Sequence, residues 1–160
     1  MLSWDPSISQ PQQPSYATFL SLNSQPLTTN SETIVSYTEK TLGSMDIILL
    51  SPTKIQYRQS GTYQFLYSIE VNKNPGGGTT ADINVYIKID GQPVVNSSSR
   101  TLITNSIAIV ITCDYILSLK AGQVIEVAAY TTGTNVLFPY FAPIGTAPAT
   151  PSVIITTQRI

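Results

Sequence analysis

Tyr63-Gln64-Phe65-Leu66-Tyr67-Ser68-Ile69-Glu70-Val71 carries an aromatic or aliphatic side chain at every odd position and mostly polar ones at the even positions. Successive side chains of an extended chain point to opposite faces, so this alternation describes one strand with a buried face and a solvated one. A helix would return its apolar groups about every 3.6 residues, and that spacing is missing here. Tyr63, Phe65 and Tyr67 therefore share an inward face and are expected in the core.

The same pattern spreads outward in both directions. Ile83, Val85, Ile87 and Ile89 alternate with Asp82, Asn84, Tyr86, Lys88 and Asp90, which predicts a second half-buried strand. Asp90-Gly91 supplies the positive backbone angles of a tight hairpin, with Pro93-Val94-Val95 starting the return. Between the two strands, Asn74-Pro75-Gly76-Gly77-Gly78 reads as a flexible loop; it lacks the Lys-Ser/Thr and the helix that a phosphate-binding loop requires. Upstream, Tyr16 to Leu22, Glu32 to Tyr37, Met45 to Leu50 and Ile55 to Arg58 read as shorter strands. Lys40-Thr41-Leu42-Gly43 separates the second from the third. Downstream, Ser97 to Arg100 reads as loop. The β-branched run Ile107 to Leu119 exceeds an average strand, which suggests a bend or bulge near Asp114. A turn at Lys120-Ala121-Gly122 would then fold it into a hairpin with Val124 to Tyr130. Ser152 to Thr157 is apolar enough to lie inside a sheet.

Roughly eight to ten strands with turn signals every 8 to 12 residues select an all-β sandwich or barrel. The expected fold is a single antiparallel jelly-roll β-sandwich over residues 16–160. An immunoglobulin-like sandwich is the structural alternative, although its paired cysteines are missing. Residues 1–15 carry Pro6, Pro11 and Pro14 among Ser and Gln and read as an extended N-terminal arm. Trp4 and Ile8 give that arm apolar groups suited to docking on a neighbouring subunit.

Only 11% of the 160 residues are charged, whereas 42% are hydrophobic, and the formal net charge is −1. Ser, Thr, Asn and Gln must therefore dress the surface, which suits close contact with other protein chains. The eight basic residues are scattered, so nucleic-acid binding is not expected. Histidine is absent, which removes the commonest general base and zinc ligand. The nine carboxylates are spread singly, with no Asp-x-Asp-x-Asp string, so neither an acid pair, a metal nor any other cofactor is expected, and the chain reads as no enzyme. Cys113, the single cysteine, lies in an apolar run and reads as a small buried hydrophobe. No basic start, signal-like apolar stretch or run of about 18 apolar residues is visible, so a soluble chain made in a cytosol, without membrane insertion, is expected.

Several stretches resemble the C1q and tumour-necrosis-factor-like jelly-roll family. Gly61-Thr62-Tyr63-Gln64-Phe65 is similar to the Gly-x-Tyr-x-Phe opening of that family's third long strand. Ile83 to Val94, with Gly91 at the hairpin tip, resembles the next strand pair. Leu117-Ser118-Leu119-Lys120-Ala121-Gly122-Gln123-Val124 resembles its Leu-x-x-Gly-Asp-x-Val hairpin, with Gln123 in place of Asp. The ending Pro151 to Ile160 is similar to the closing strand of small jelly-rolls in virion proteins of large DNA viruses and tailed phages. This resemblance covers about residues 60 to 160 and implies a self-associating structural module, trimeric in fibre heads or pentameric at a capsid vertex.

The functional expectation is a viral structural protein: a penton or minor capsid subunit, made in the host cytoplasm and carried in the virion. Its partners would be copies of itself, as homotrimer or homopentamer, and other capsid proteins. The alternative is a trimeric receptor- or glycan-binding fibre or spike head. Expected interface residues are Trp4 and Ile8 in the arm, together with Tyr130, Phe138, Tyr140 and Phe141. The last three lie in a proline-rich segment that should run over the surface.

Overall fold

The computed structural model describes residues 14–160, so most of the expected arm, Trp4 and Ile8 included, lies outside the described residues. The described residues form fourteen strands and no helix. In chain order these are β1 (Tyr16–Ser21), β2 (Gln25–Pro26), β3 (Glu32–Ile34), β4 (Glu39–Gly43), β5 (Ile47–Ser51), β6 (Lys54–Tyr57) and β7 (Gly61–Lys73). There follow β8 (Thr80–Ile89), β9 (Gln92–Pro93), β10 (Ser99–Thr104), β11 (Ala108–Leu119), β12 (Val124–Thr131), β13 (Val136–Phe138) and β14 (Val153–Arg159). All strand pairings are antiparallel and divide into two sheets. The first runs β4-β1-β14-β7-β11, with β13 and β2 continuing beyond the end of β14; the second runs β10-β8-β12-β6-β5, with β3 on β12 and β9 on β8. This is the expected all-β jelly-roll sandwich.

β7 is the spine of the first sheet. Its odd residues Tyr63, Phe65, Tyr67, Ile69 and Val71 are fully buried, and they face Ile83, Val85, Ile87, Ile125 and Val127 across the core. Three polar contacts stitch the layers together. Tyr57 Oη donates to Thr157 Oγ1 at 2.9 Å, Tyr67 Oη to the Val85 carbonyl at 3.5 Å, and Tyr115 Oη to the Ser97 carbonyl at 2.7 Å. Tyr57 also meets the Tyr63 ring edge-on, with centroids 4.7 Å apart. Burial pushes the Tyr57 and Tyr67 phenols well above their ordinary range, so they stay neutral donors. Cys113 packs half-buried against the core beside these rings.

The predicted strands at Tyr16, Ile55, Tyr63, Ile83 and Ser152 are present, and β14 lies inside its sheet, between β7 and β1. Asp90 (φ 50°) and Gly91 (φ 78°) form the expected hairpin turn. Other expectations are corrected. Lys40 to Gly43 is not a separator but part of β4, an edge strand on β1; polar composition, here misread as a turn, is how edges avoid further pairing. Only Glu32 to Ile34 of the predicted Glu32–Tyr37 strand is paired; Val35 and Tyr37 are buried where the chain crosses between sheets. The loop at Ser97–Arg100 gives way at Ser99 to β10.

The run before Leu119 has no bulge: β11 pairs with β7 in unbroken register, from Ala108 opposite Asn72 to Leu119 opposite Gly61. Nor does it form a hairpin with β12. The Lys120–Gln123 turn carries the chain from one sheet to the other, because β6 holds it: Tyr57 N donates to the Gln123 carbonyl and Gly122 N to the Tyr57 carbonyl. Phe138 is also corrected. It faces inward from β13 and is fully buried, whereas Phe141 is 41% exposed. Phe138→Ala is therefore expected to destabilise the fold by about 3–5 kcal/mol through lost burial and the cavity left behind. Phe141→Ala should cost less than about 1 kcal/mol, and urea unfolding of the two variants measures the difference.

Candidate assembly surface

Paired residues of neighbouring strands point to the same side, so the ladder registers fix what the first sheet shows on its outer face. One row runs Ile116, Gln64, Gln158, Tyr16 across β11, β7, β14 and β1. The next runs Asp114, Leu66, Thr156, Thr18, Leu42, and the third Thr112, Ser68, Ile154, Leu20. Val110 stands opposite Glu70 beyond these. Ile116 (61% exposed), Leu42 (59%), Val110 (57%) and Ile154 (38%) leave this face with a broad scatter of uncovered apolar groups. Between them runs a polar ladder in which Gln64 Nε2 donates to Asp114 Oδ2 at 2.6 Å and Gln158 Nε2 donates to Gln64 Oε1 at 2.8 Å.

The charged side chains on this face are Glu39, Glu70 and Asp114, all carboxylates. Among the described residues neither ion pair of the molecule involves them. The outer face of the second sheet is organised differently. There Lys88 Nζ lies 2.6 Å from Glu32 Oε1, Tyr86 Oη donates to Glu32 Oε2 at 2.5 Å, and Arg100 is bidentate on Asp82. Hydrogen bonds from Lys88 and Tyr86 hold the Glu32 carboxyl below its usual range, while burial and the facing carboxylate push Tyr86 up to about 12. The Arg100 contact likewise lowers Asp82. The second face pairs Glu32 with Lys88 and Asp82 with Arg100, although it too exposes Leu102; the first presents apolar groups beside acids in no ion pair.

The expected interface residues are dispersed by this geometry. Trp4 and Ile8 lie outside the described residues. Tyr130 is half-buried on the second sheet's outer side opposite Glu32 and Asn84, and Phe138 belongs to the core. Tyr140 is half-buried, its N–H bonded to Ser24 Oγ, and Phe141 pairs with Thr150 in the proline-rich excursion between β13 and β14. Of the expected interface residues that are described, only Phe141 is exposed. Sequence reading missed Val110, Ile116, Leu42 and Ile154 because each sits in a run counted as core or turn. Among the described residues no three His, Cys, Asp or Glu side chains gather where a metal could be held, and no helix is long and apolar enough to cross a membrane.

Solved structures share this architecture. The globular domain of zebrafish complement 1qA matches with a TM-score of 0.61 over 92% of this chain and 98% of its own, at 12% identity. Murine APRIL at pH 8.5 matches with a TM-score of 0.58 over 92% of this chain and 100% of its own, at 11% identity. The fold is that of the C1q and tumour-necrosis-factor-like jelly-rolls. At such identities the similarity is one of fold. No family model matches the sequence, and no curated protein matches it.

The Glu32 cluster makes a pH prediction. A carboxylate whose folded pKa is depressed stabilises the fold above its unfolded value, and that contribution is lost as the pH falls through the folded one. Glu32→Gln should therefore lower the melting temperature near neutral pH, by no more than about 4 °C because solvent screens the pair. The gap from the parent should close in acid below the ordinary carboxylate range. Melting curves across pH read both.

Proposed function

We propose that this chain is a structural subunit of a virion, a penton or minor capsid protein that closes into a ring with copies of itself. The observation that carries this reading is the outer face of the first sheet, with its exposed Val110, Ile116, Ile154 and Leu42 and its uncompensated carboxylates. Apolar surface of this kind marks contact with another chain. Two such faces stacked about a two-fold axis would set acids against acids, which is unfavourable. A ring in which this face meets a different surface of the next copy avoids that clash. Lys54, Arg58 and Lys120 are exposed bases elsewhere on the molecule that such a neighbour could offer. Trimer and pentamer both satisfy the requirement. The low overall charge and an arm bearing Trp4 and Ile8 support contacts with other capsid proteins. On this reading the chain is made in the host cytoplasm and ends in the particle.

A second reading, a trimeric receptor- or glycan-binding head, draws on the fold shared with C1q and APRIL domains and on the exposed loops at one end of the sandwich. Particle association separates the two. A capsid subunit co-purifies with virions and loses incorporation when residues 1–15 are removed; a recognition head keeps its assembly and its ligand without them.

Ile116→Lys is expected to weaken the oligomer by about 30-fold or more while leaving the melting temperature of the separated subunit unchanged. Leu50→Lys, on the second sheet, should leave assembly intact. Native mass spectrometry and sedimentation of both variants test the proposal; an isolated parent chain that stays monomeric at high concentration would overturn it.

A further inference from the structure

The two ends of the sandwich differ in charge. At the end where β6 joins β7 lie Asp46, Arg58, Asp90, Lys120 and Arg159. At the other end, residues 22–31, 74–79, 104–107 and 131–152 contain no Asp, Glu, Lys or Arg. The described chain brings a single cation to that end, Lys73, and its side chain is fully buried. Its ammonium donates to the Gly76 carbonyl at 3.0 Å and to that of Asn74 at 3.4 Å. Those carbonyls turn inward because Gly76, Gly77 and Gly78 adopt φ of 111°, 64° and 99°, angles a side chain would resist. Thr134 Oγ1 donates to the Gly77 carbonyl at 3.2 Å, so close that a Cβ on Gly77 would collide with it. Lys73 and Thr134 thus hold the glycine loop in place from beneath.

The held loop forms one wall of an open hollow of about 370 Å³, lined by Pro26, Asn74, Pro75, Asn135, Val136 and Leu137. That volume falls at the lower end of small-molecule pockets. Asn135 Nδ2 is engaged with the Pro75 carbonyl at 3.0 Å, and Asn74 Oδ1 accepts from Asn72 Nδ2 at 3.2 Å. The Asn135 Oδ1 acceptor and the Asn74 Nδ2 donor have no bond to any described residue, so the two lining asparagines leave one hydrogen-bond acceptor and one donor free beside the apolar side chains of Pro26, Pro75 and Leu137; Val136 turns its side chain to the core and lends the hollow only its backbone.

We infer that this hollow binds a neutral monosaccharide unit. A pyranose ring has an apolar C–H face and a rim of hydroxyls that both donate and accept, which matches apolar walls with two free amide groups. Charged sugars gain no ion pair here: none of the residues that line the hollow is charged, and the Lys73 ammonium is held beneath the loop by the Gly76 and Asn74 carbonyls. The site lies at the end of the sandwich and does not depend on how copies assemble. For a ligand of roughly twelve heavy atoms the dissociation constant should be on the order of 1 mM, and it should be insensitive to salt.

The test is a two-dimensional NMR titration of the full chain with methyl glucoside, galactoside, mannoside and N-acetylglucosaminide, beside sialyllactose and glucosamine. At least one neutral glycoside should shift the amides of residues 74–76 and 135–137, while the acidic and basic sugars leave them unmoved. Asn74→Ala should weaken that binding about five- to tenfold with the melting temperature held. Lys73→Met should weaken it by displacing the loop, seen as shifted Gly76–Gly78 amides without ligand. Silence of these residues toward every neutral glycoside, equal response to sialyllactose, or full binding by Asn74→Ala would each overturn the inference.

Discussion

The whole architecture depends on thirteen residues of β7 staying in period-two register. This strand pairs with β11 along its full length on one side, and with β14 and β13 in succession on the other. A slip of one residue would turn Tyr63, Phe65, Tyr67, Ile69 and Val71 to solvent and bury Gln64, Ser68 and Glu70 in their place. At about 1.5–3 kcal/mol for each large apolar side chain, such a slip would exceed the net stability of a domain this size. The aromatic anchors make register stricter still. Tyr57 reaches Thr157, and Tyr67 reaches Val85, only from the observed alignment, and a buried phenol without a partner is costly.

Because one face of each sheet is committed to the core, function must sit on the outer faces and the ends, and here these differ sharply. The second sheet carries both ion pairs of the described residues, Glu32 with Lys88 and Asp82 with Arg100. The first sheet has carboxylates without bases and apolar groups without cover. A solvated face gains nothing from exposed isoleucines, whereas a face that meets another chain gains their burial. The asymmetry therefore follows the direction in which the molecule would be partnered, and it arises in the even positions of β11 and β14, where Val110, Ile116 and Ile154 replace the polar residues that alternation leads one to expect.

The sequence displays its period-two strands openly, and Tyr63–Val71, Ile83–Ile89 and the Asp90-Gly91 turn were legible because local chemistry alone determines them. What could not be read was decided at a distance. Whether Lys120–Gln123 closes a hairpin or crosses between sheets depends on two backbone bonds from Tyr57, some sixty residues earlier in the chain. Phe138 was placed at the surface on the strength of its prolines, but Val136 and Phe138 face the core because β13 pairs briefly with Asn72 and Lys73. The apolar residues of the assembly face were hidden for the opposite reason. In a β-branched run such as Ile109-Val110-Ile111, periodicity does not distinguish a strand buried on both sides from one whose second side awaits a partner.

The separation of charge along the long axis bears on how such a subunit would be mounted. Ser15 accepts the Arg159 backbone N–H, and Ile160 N donates to Thr62, so the root of the arm and the C-terminus leave together at the charged end. On the proposed capsid role, an arm engaging neighbouring proteins would pull from that end, and the uncharged loops would be carried at the far one. Lys73 fits this division. A lysine at the tip of β7 could have reached solvent, yet it lies buried under backbone carbonyls, an arrangement that withdraws its ammonium from the surface of the outer loops and keeps their glycine turn shaped. The loops of this end carry no charged side chain, so their contacts are selected mainly by shape and hydrogen bonding.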